Sequence, residues 1–413
     1  MTTTARCLPG SIFLTICMIW ASMAHAQNEP IHFYLDADLT NASTSSLSIE
    51  QGILTALSEV DNKIVGRRVV LLKRDHHGNS RRSLDNLKQF LADDQALALF
   101  AGLHSPPLLA NRTFINEQGI LLLDPWAAAG PITRYANGKN WIFRLSVDDS
   151  KAGSVLVNHL INVRGLKKPA LLLEQTGWGR SNKKTMGRAL AENDLAPTGI
   201  FWFNWGLKES SARILLRQIA GTGADSILFV GNSPEGKIFA RAMAELSGSK
   251  KMPIVSHWGI TGGDFPQVIG LALREKIDLT FLQTSFSFVS MPDNLFGRQV
   301  LKQASTVFPD LINKATDIKA PAGFVHGYDL TKILIAAVLQ AGLSGDIIED
   351  RENVRNALEE LKTPVKGLIK IYNKPFGKFD LEHPDSHEAL SVEDFTMARY
   401  GENDEILLLN VGE

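Results

Sequence analysis

The sequence predicts an α/β protein built as two doubly wound, parallel-sheet lobes. Short β-like runs alternate with amphipathic helical stretches from Gln27 onward, and the same rhythm restarts after Asp149. The chain is also 413 residues long, beyond the roughly 250 to 300 at which single cores stop growing.

Ile31 to Leu35 reads as the first strand, followed by Ile49, Ile53, Leu57 and Val60 at helical spacing. Val69 to Leu72 gives the next strand, and Leu84, Leu87 and Leu91 the next helix. Leu97 to Phe100 and Ile120 to Leu123 continue the series. Such β-α-β-α repetition implies parallel strands, helices on the sheet faces and right-handed crossovers. The second series has strands at Ala170 to Leu173, Ile200 to Phe203, Ile227 to Val230 and Ile254 to Ser256. Asn140 to Asp149 reads as an extended crossing between lobes, and Thr284 to Phe288 as a second. Helices around Phe324 to Leu343 and Asn353 to Leu361 complete the lobes. Beyond Lys374 the chain turns irregular, with final strands near Thr396 to Tyr400 and Ile406 to Leu409.

Composition narrows the function. The 43 basic and 44 acidic residues balance, and 44% of residues are hydrophobic. That excludes a disordered chain and argues against broad nucleic-acid binding, which needs a basic surface. Arg6, an apolar run from Ile12 to Met23 and the small-x-small sequence Ala24-His25-Ala26 read as a signal peptide, residues 1–26, cleaved near Ala26. The run is about twelve residues, whereas a membrane span needs about twenty. No later stretch reads as long and apolar enough to span. Both cysteines, Cys7 and Cys17, lie in this leader, so the exported chain has none and must be held by its core. A periplasmic location follows.

In open α/β sheets, ligands bind beyond the carboxyl ends of strands. The residues there are His104 and Ser105, then Asp124 through Ala129, then Trp178, Asn232 with Ser233, and His257 with Trp258. Trp126, Trp178 and Trp258 are three of the six tryptophans outside the leader. Such rings wall a cleft by stacking on a planar ligand or facing a cation; the alternative is packing beneath loops.

Taken together, the residues resemble the type I periplasmic binding proteins, in particular the branched-chain amino-acid and amide branch that serves ABC importers. The resemblance runs from about Ile31 to about Leu343. It rests on an ordered set: Leu39-Thr40-Asn41, Gln51-Gly52, Asn62, Gly66-Arg67, Asp75, Gly102, Gly119-Ile120, Phe143-Arg144, Asp149, Gly153, Trp178-Gly179 and Gly327-Tyr328-Asp329. It implies a clamp whose lobes are joined by a multi-strand hinge. Lobe one would comprise residues 27–147 with about 288–345, and lobe two 148–287 with part of 346–413. It also implies that Ser105 and the loop Ala127, Ala128 and Ala129 hold an α-carboxylate, with Trp178 covering the ligand. One departure stands out. Where amino-acid binders place a Glu for the ammonium, this chain reads Ser256-His257-Trp258. Enclosing an ammonium without a counter-charge costs several kcal/mol, so Asp124 or Asp149 would have to substitute. Three rings and one or two acids suit a small cationic, amide-bearing or aromatic polar ligand better than leucine.

Other signals carry less. His76 and His77 after Asp75 are adjacent loop residues and rarely converge on one metal. Gly221-Thr222-Gly223 lacks the third glycine of a dinucleotide loop, and Gly231-Asn232-Ser233-Pro234-Glu235 is not a nucleophile elbow. No nucleophile, metal or cofactor constellation stands out, so no enzymatic role, cofactor or metal is expected. The reading is a monomeric periplasmic receptor that encloses a small polar ligand and delivers it to an inner-membrane ABC permease. Its rival is a sensory module reporting the ligand to a membrane receptor or kinase. The interlobe residues expected at the ligand are Ser105, Trp126, Ala127, Ala128, Asp149, Trp178 and Trp258, with Asp124, Asn232, His104 and Phe286.

Overall fold

The computed structural model describes residues 29–409; the expected signal peptide lies outside them. In the first lobe the strands are Ile31–Ala37 (β1), Lys63–Ile64 (β2), Arg67–Asp75 (β3), Ala96–Ala101 (β4), Leu122–Asp124 (β5) and Ile142–Arg144 (β6). They form one sheet in the order β2-β3-β1-β4-β5-β6, parallel except for the β2–β3 pair. The second lobe takes Pro169–Glu174 (β7), Ile200–Phe203 (β8), Ser226–Val230 (β9), Ile254–Ser256 (β10) and Leu279–Thr284 (β11). Val365–Lys366 (β12) and Ile371–Tyr372 (β13) make a separate small ladder. Phe395–Tyr400 (β14) and Ile406–Leu408 (β15) return to the second sheet, whose order is β15-β14-β11-β10-β9-β7-β8.

The central strands show why the chain chooses parallel sheets. Every residue of β4, β7 and β9 is buried, which is the two-faced burial that helices on both sides impose. Several expected strands, such as those at Ile31, Val69 and Ala170, reappear extended by one to three residues, because polar residues such as Asp36, Lys73 and Glu174 stay in register after the apolar run stops; Ile200–Phe203 and Ile254–Ser256 keep their expected bounds. The segment read as an extended crossing, 140–149, instead contributes β6 as a full strand of the first sheet.

Late in the chain, Pro321–Ala341 packs along Ser43–Ser58, and Ile347–Glu359 packs against it and β4, so both helices belong with the first sheet. The Pro321–Ala341 helix corrects one expectation: it is long and apolar enough to cross a membrane, but 83% of its most apolar stretch is buried inside the fold. Its contact with Ser43–Ser58 explains two glycines of the sequence pattern. A Cβ on Gly52 would sit 2.1 Å from the Phe324 carbonyl oxygen, and one on Gly327 would sit 2.7 Å from that of Ile49. Only glycine permits this approach.

The chain crosses between lobes three times: after β6, after β11, and between β13 and β14. Arg144, at the end of β6 and fully buried, joins the first crossing to the third. Its guanidinium donates to Asp148 at 2.6 Å and to Glu388 at 2.9 Å. Asp148 then caps the helix Asp149–Asn158 by accepting from the Ser150 N–H, and Glu388 also takes Arg134 and Lys151. The second crossing is tied to the third by the Ser285 N–H, which donates to the Asp394 carbonyl at 2.9 Å.

Removing one member of such a buried pair leaves the others uncompensated, which costs about 3 to 5 kcal/mol. Arg144→Met is therefore expected to lower the free energy of unfolding by about that amount in urea melts. A loss below about 1 kcal/mol, the worth of an exposed pair, would show that the crossings are held otherwise.

Candidate functional site

The carboxyl ends of both sheets face each other across the cleft. From the first lobe come Asp38 after β1, His104 and Ser105 after β4, and Trp126 to Ala128 after β5. From the second come Glu174 at the end of β7, Trp178, Trp205 after β8, Asn232 to Glu235 after β9, and Trp258 after β10. The lobes touch here: the Ser45 hydroxyl donates to the Gly262 carbonyl, and the His104 and Trp205 rings lie 5.2 Å apart.

The deep part of the cleft gathers His104, Ser105, Trp126, Ala127, Ala128, Trp178, Asn232 and Trp258 around a space of about 10 Å³. That is the room of about one water molecule. The rings themselves fill the rest. Trp126 and Trp258 lie 5.5 Å apart at 34°, the His326 ring packs 5.1 Å from Trp258, and Trp178 stands edge-on to His257 at 4.9 Å. The three tryptophans are at most 5% exposed. They are brought together as expected, but they pack on one another and on two histidines.

The loop below them is fixed from beneath. Ser105 Oγ accepts the Ala129 N–H at 3.2 Å, and Asp124 Oδ1 accepts those of Trp126 and Ala127 at 3.0 and 2.7 Å. Arg144 donates to the carbonyls of Ala127 and Ala129. Asp124 is fully buried, and burial lifts its carboxyl to about 7 against the pull of Arg144.

Three sequence expectations need correction. Asp124 lies behind the loop it braces and does not line the cleft. Asp149 is also buried, its Oδ1 accepting from Trp178 Nε1 at 3.0 Å and Asn182 at 2.7 Å, with His257 Nε2 nearby at 3.3 Å but not hydrogen-bonded to it. Phe286 packs edge-on to Phe288 and against the Leu295–Val307 helix at Gly297, in a hydrophobic cluster beside the second crossing. Nor do His76 and His77 converge: His76 Nε2 meets the Gly102 carbonyl, while His77 turns to Asp75.

Space for a ligand lies further out, on the edge of the cleft away from the crossings. A cavity of about 400 Å³ opens between Asp38, His77 and His104 on one wall and Trp205, Ser233, Glu235, Lys237 and Asp264 on the other. Burial raises Asp38, but hydrogen bonds from His104 and Asn41 outweigh it and bring the carboxyl to about 2. Glu174 sits between the two spaces and accepts from Thr176, Trp205 Nε1 at 3.1 Å and Asn232 at 3.2 Å. Burial still pushes it up to about 7, and Glu235 is raised for the same reason. Of the sequence-expected residues, His104 and Asn232 line this cavity as well. Asp38, Glu174, Glu235 and Trp205 were missed. Asp38 and Glu174 stand at or just past strand ends, so the strand-end rule reaches them once the strands are given their true lengths.

Two α/β lobes, three crossings and facing strand ends define a two-lobed solute-binding clamp. A family model described as periplasmic binding protein matches residues 35–400, and the chain belongs to that family, in its type I form. Its fold is shared with a type 1 periplasmic binding protein from Bordetella pertussis Tohama I, at TM-score 0.74 and 16% identity over 93% of this chain and 100% of that one. A leucine-binding protein from Thermotoga maritima gives TM-score 0.73 at 15% identity, covering 92% and 98%. An ABC transporter solute-binding protein from R. palustris, solved with benzoate, gives 0.70 at 16%, covering 92% and 95%. No curated protein matches the chain.

Because Glu174 binds its proton more tightly folded than unfolded, it stabilises fully below about 4.5, and that contribution is lost as pH rises toward about 7. Glu174→Gln should flatten this decline, so the wild-type advantage over the variant falls by on the order of 3 kcal/mol between pH 4.5 and 7.5. Urea melts across that range check it; an advantage that grows with pH would contradict the assignment.

Proposed function

We propose that the protein is the periplasmic solute-binding component of an ABC importer, exported by a leader cleaved near Ala26. It encloses a small polar solute between its lobes, presents it to an inner-membrane permease and performs no chemistry. The observation that carries this reading is the interlobe cavity of about 400 Å³, lined from both sheets and reached by opening the three crossings. Its size falls in the range of roughly 300 to 1,000 Å³ typical of small-molecule sites. A solute that touches both lobes does so fully only when they are together, so its binding shifts the population toward the closed form, in which contacts such as Ser45 with Gly262 are made. The R. palustris neighbour, solved as an ABC transporter solute-binding protein, lends the transport half its support.

A thermal-shift screen of the refolded protein tests binding. Solute at about a hundred times its dissociation constant adds about 2.7 kcal/mol, which raises the melting temperature by several degrees. Deleting the protein should then abolish uptake of the same solute into cells. Binding with uptake intact would contradict the transport role, and silence across amino acids, amides, amines and aromatic acids would contradict the receptor reading.

A further inference from the structure

We infer that the ligand chamber of this receptor is the outer cavity between Asp38 and Trp205, and that it takes a compact organic cation carrying an ammonium group. This rests on the solute-receptor reading above. The deep cleft, where the sequence placed the ligand, has about 10 Å³ to offer because Trp126, Trp258 and His326 occupy it. The outer cavity has about 400 Å³ between the same lobes.

The chemistry of its walls is one-sided. Asp38, Glu235 and Asp264 face it, with Glu174 just behind Trp205, whereas the one lysine, Lys237, is already held by Asp264 at 2.6 Å. Asp38 belongs to the first lobe and Glu235 to the second, so a cation between them is gripped by both. Trp205 is 41% exposed, and its indole is anchored at Nε1 by Glu174. A cation within about 6 Å of such a ring gains from its negative face. Ser233 Oγ is buried at the cavity wall with no hydrogen-bond partner, a polar atom for which a ligand N–H or O–H is a fitting mate. An anion would instead meet Asp38 and Glu235, with Lys237 already engaged by Asp264.

The same groups make binding depend on pH. Burial favours the neutral forms of Glu174 and Glu235 more strongly than nearby positive charge offsets it; a cation favours ionisation of both. The other titratable groups facing the cavity are His77, His104 and Lys237, together with Asp38 and Asp264, whose carboxyls are held low by their hydrogen bonds. The two raised carboxyls set the direction: affinity tightens as pH rises from about 5 to about 7.5.

Isothermal titration with tetramethylammonium, choline and putrescine, against leucine and benzoate, decides the matter. At least one cation should bind, tighten with pH and release protons, as read in buffers of different ionisation enthalpy. Asp38→Asn and Trp205→Ala, both at the cleft edge, should each weaken it about tenfold or more. Circular dichroism and melting curves show that each variant is folded. Cation binding unmoved by both substitutions overturns the assignment, as does binding of leucine or benzoate with the cations inert. Silence to all five probes overturns it too, while the broader thermal screen separately decides whether the protein is a receptor at all.

Discussion

A buried guanidinium that cannot shed its proton dictates much of this architecture. Arg144 has no exposed surface, so its donors have only the fold's own acceptors to turn to; Nε goes without one, and the two terminal nitrogens carry the network. They find acceptors in Asp148 on the same crossing, in Glu388 on the third, in Thr133 and in the carbonyls of Ala127 and Ala129. One side chain thereby ties two crossings together and holds the loop that floors the cleft. Asp148 carries the constraint onward by capping the helix Asp149–Asn158, which opens at Asp149, the residue that orients Trp178 and Asn182. The hinge and the floor of the cleft are mechanically one unit.

That rigidity leaves the deep cleft little freedom to adapt. With the 127–129 loop pinned from below by Asp124, Ser105 and Arg144, Trp126 has Trp258 to meet across the interface, and the two lobes close on an aromatic contact. Burying such rings against each other is favourable beyond their area alone. The polar groups able to greet a solute are displaced to the outer edge, where Asp38, Glu235 and Trp205 remain at a cavity wall. Closure and recognition thus fall to different residues in one cleft.

The fold was legible because its signals are local. Apolar runs such as Leu97 to Phe100 and Ile227 to Val230 are strands buried on both faces, and Gly52 and Gly327 mark a helix contact too close for any Cβ. The third crossing, which carries Glu388, was not legible, since its Pro- and Asp-rich stretch has no periodicity and its role comes from a partner 244 positions away. Of the residues expected at the ligand, most line the cleft, while others have partners elsewhere in the fold. Asp124 and Asp149 stand where an acid would serve a ligand, yet backbone N–H groups, an indole and an amide claim Oδ1 of each, while Oδ2 of each is buried without a partner. Conversely, Trp205 follows the edge strand Ile200–Phe203, which was expected but whose carboxyl end was not read for ligand residues, and Glu174 belongs to a strand whose apolar run ends one residue earlier.

A crystal structure of the protein with a bound organic cation bears most directly on this division of the cleft. Density for the cation against the Trp205 ring and between Asp38 and Glu235, with Trp126 and Trp258 still in contact, is the expected result. Density between Ser105 and Trp258, with the two indoles parted, would contradict it and return the ligand to the deep cleft.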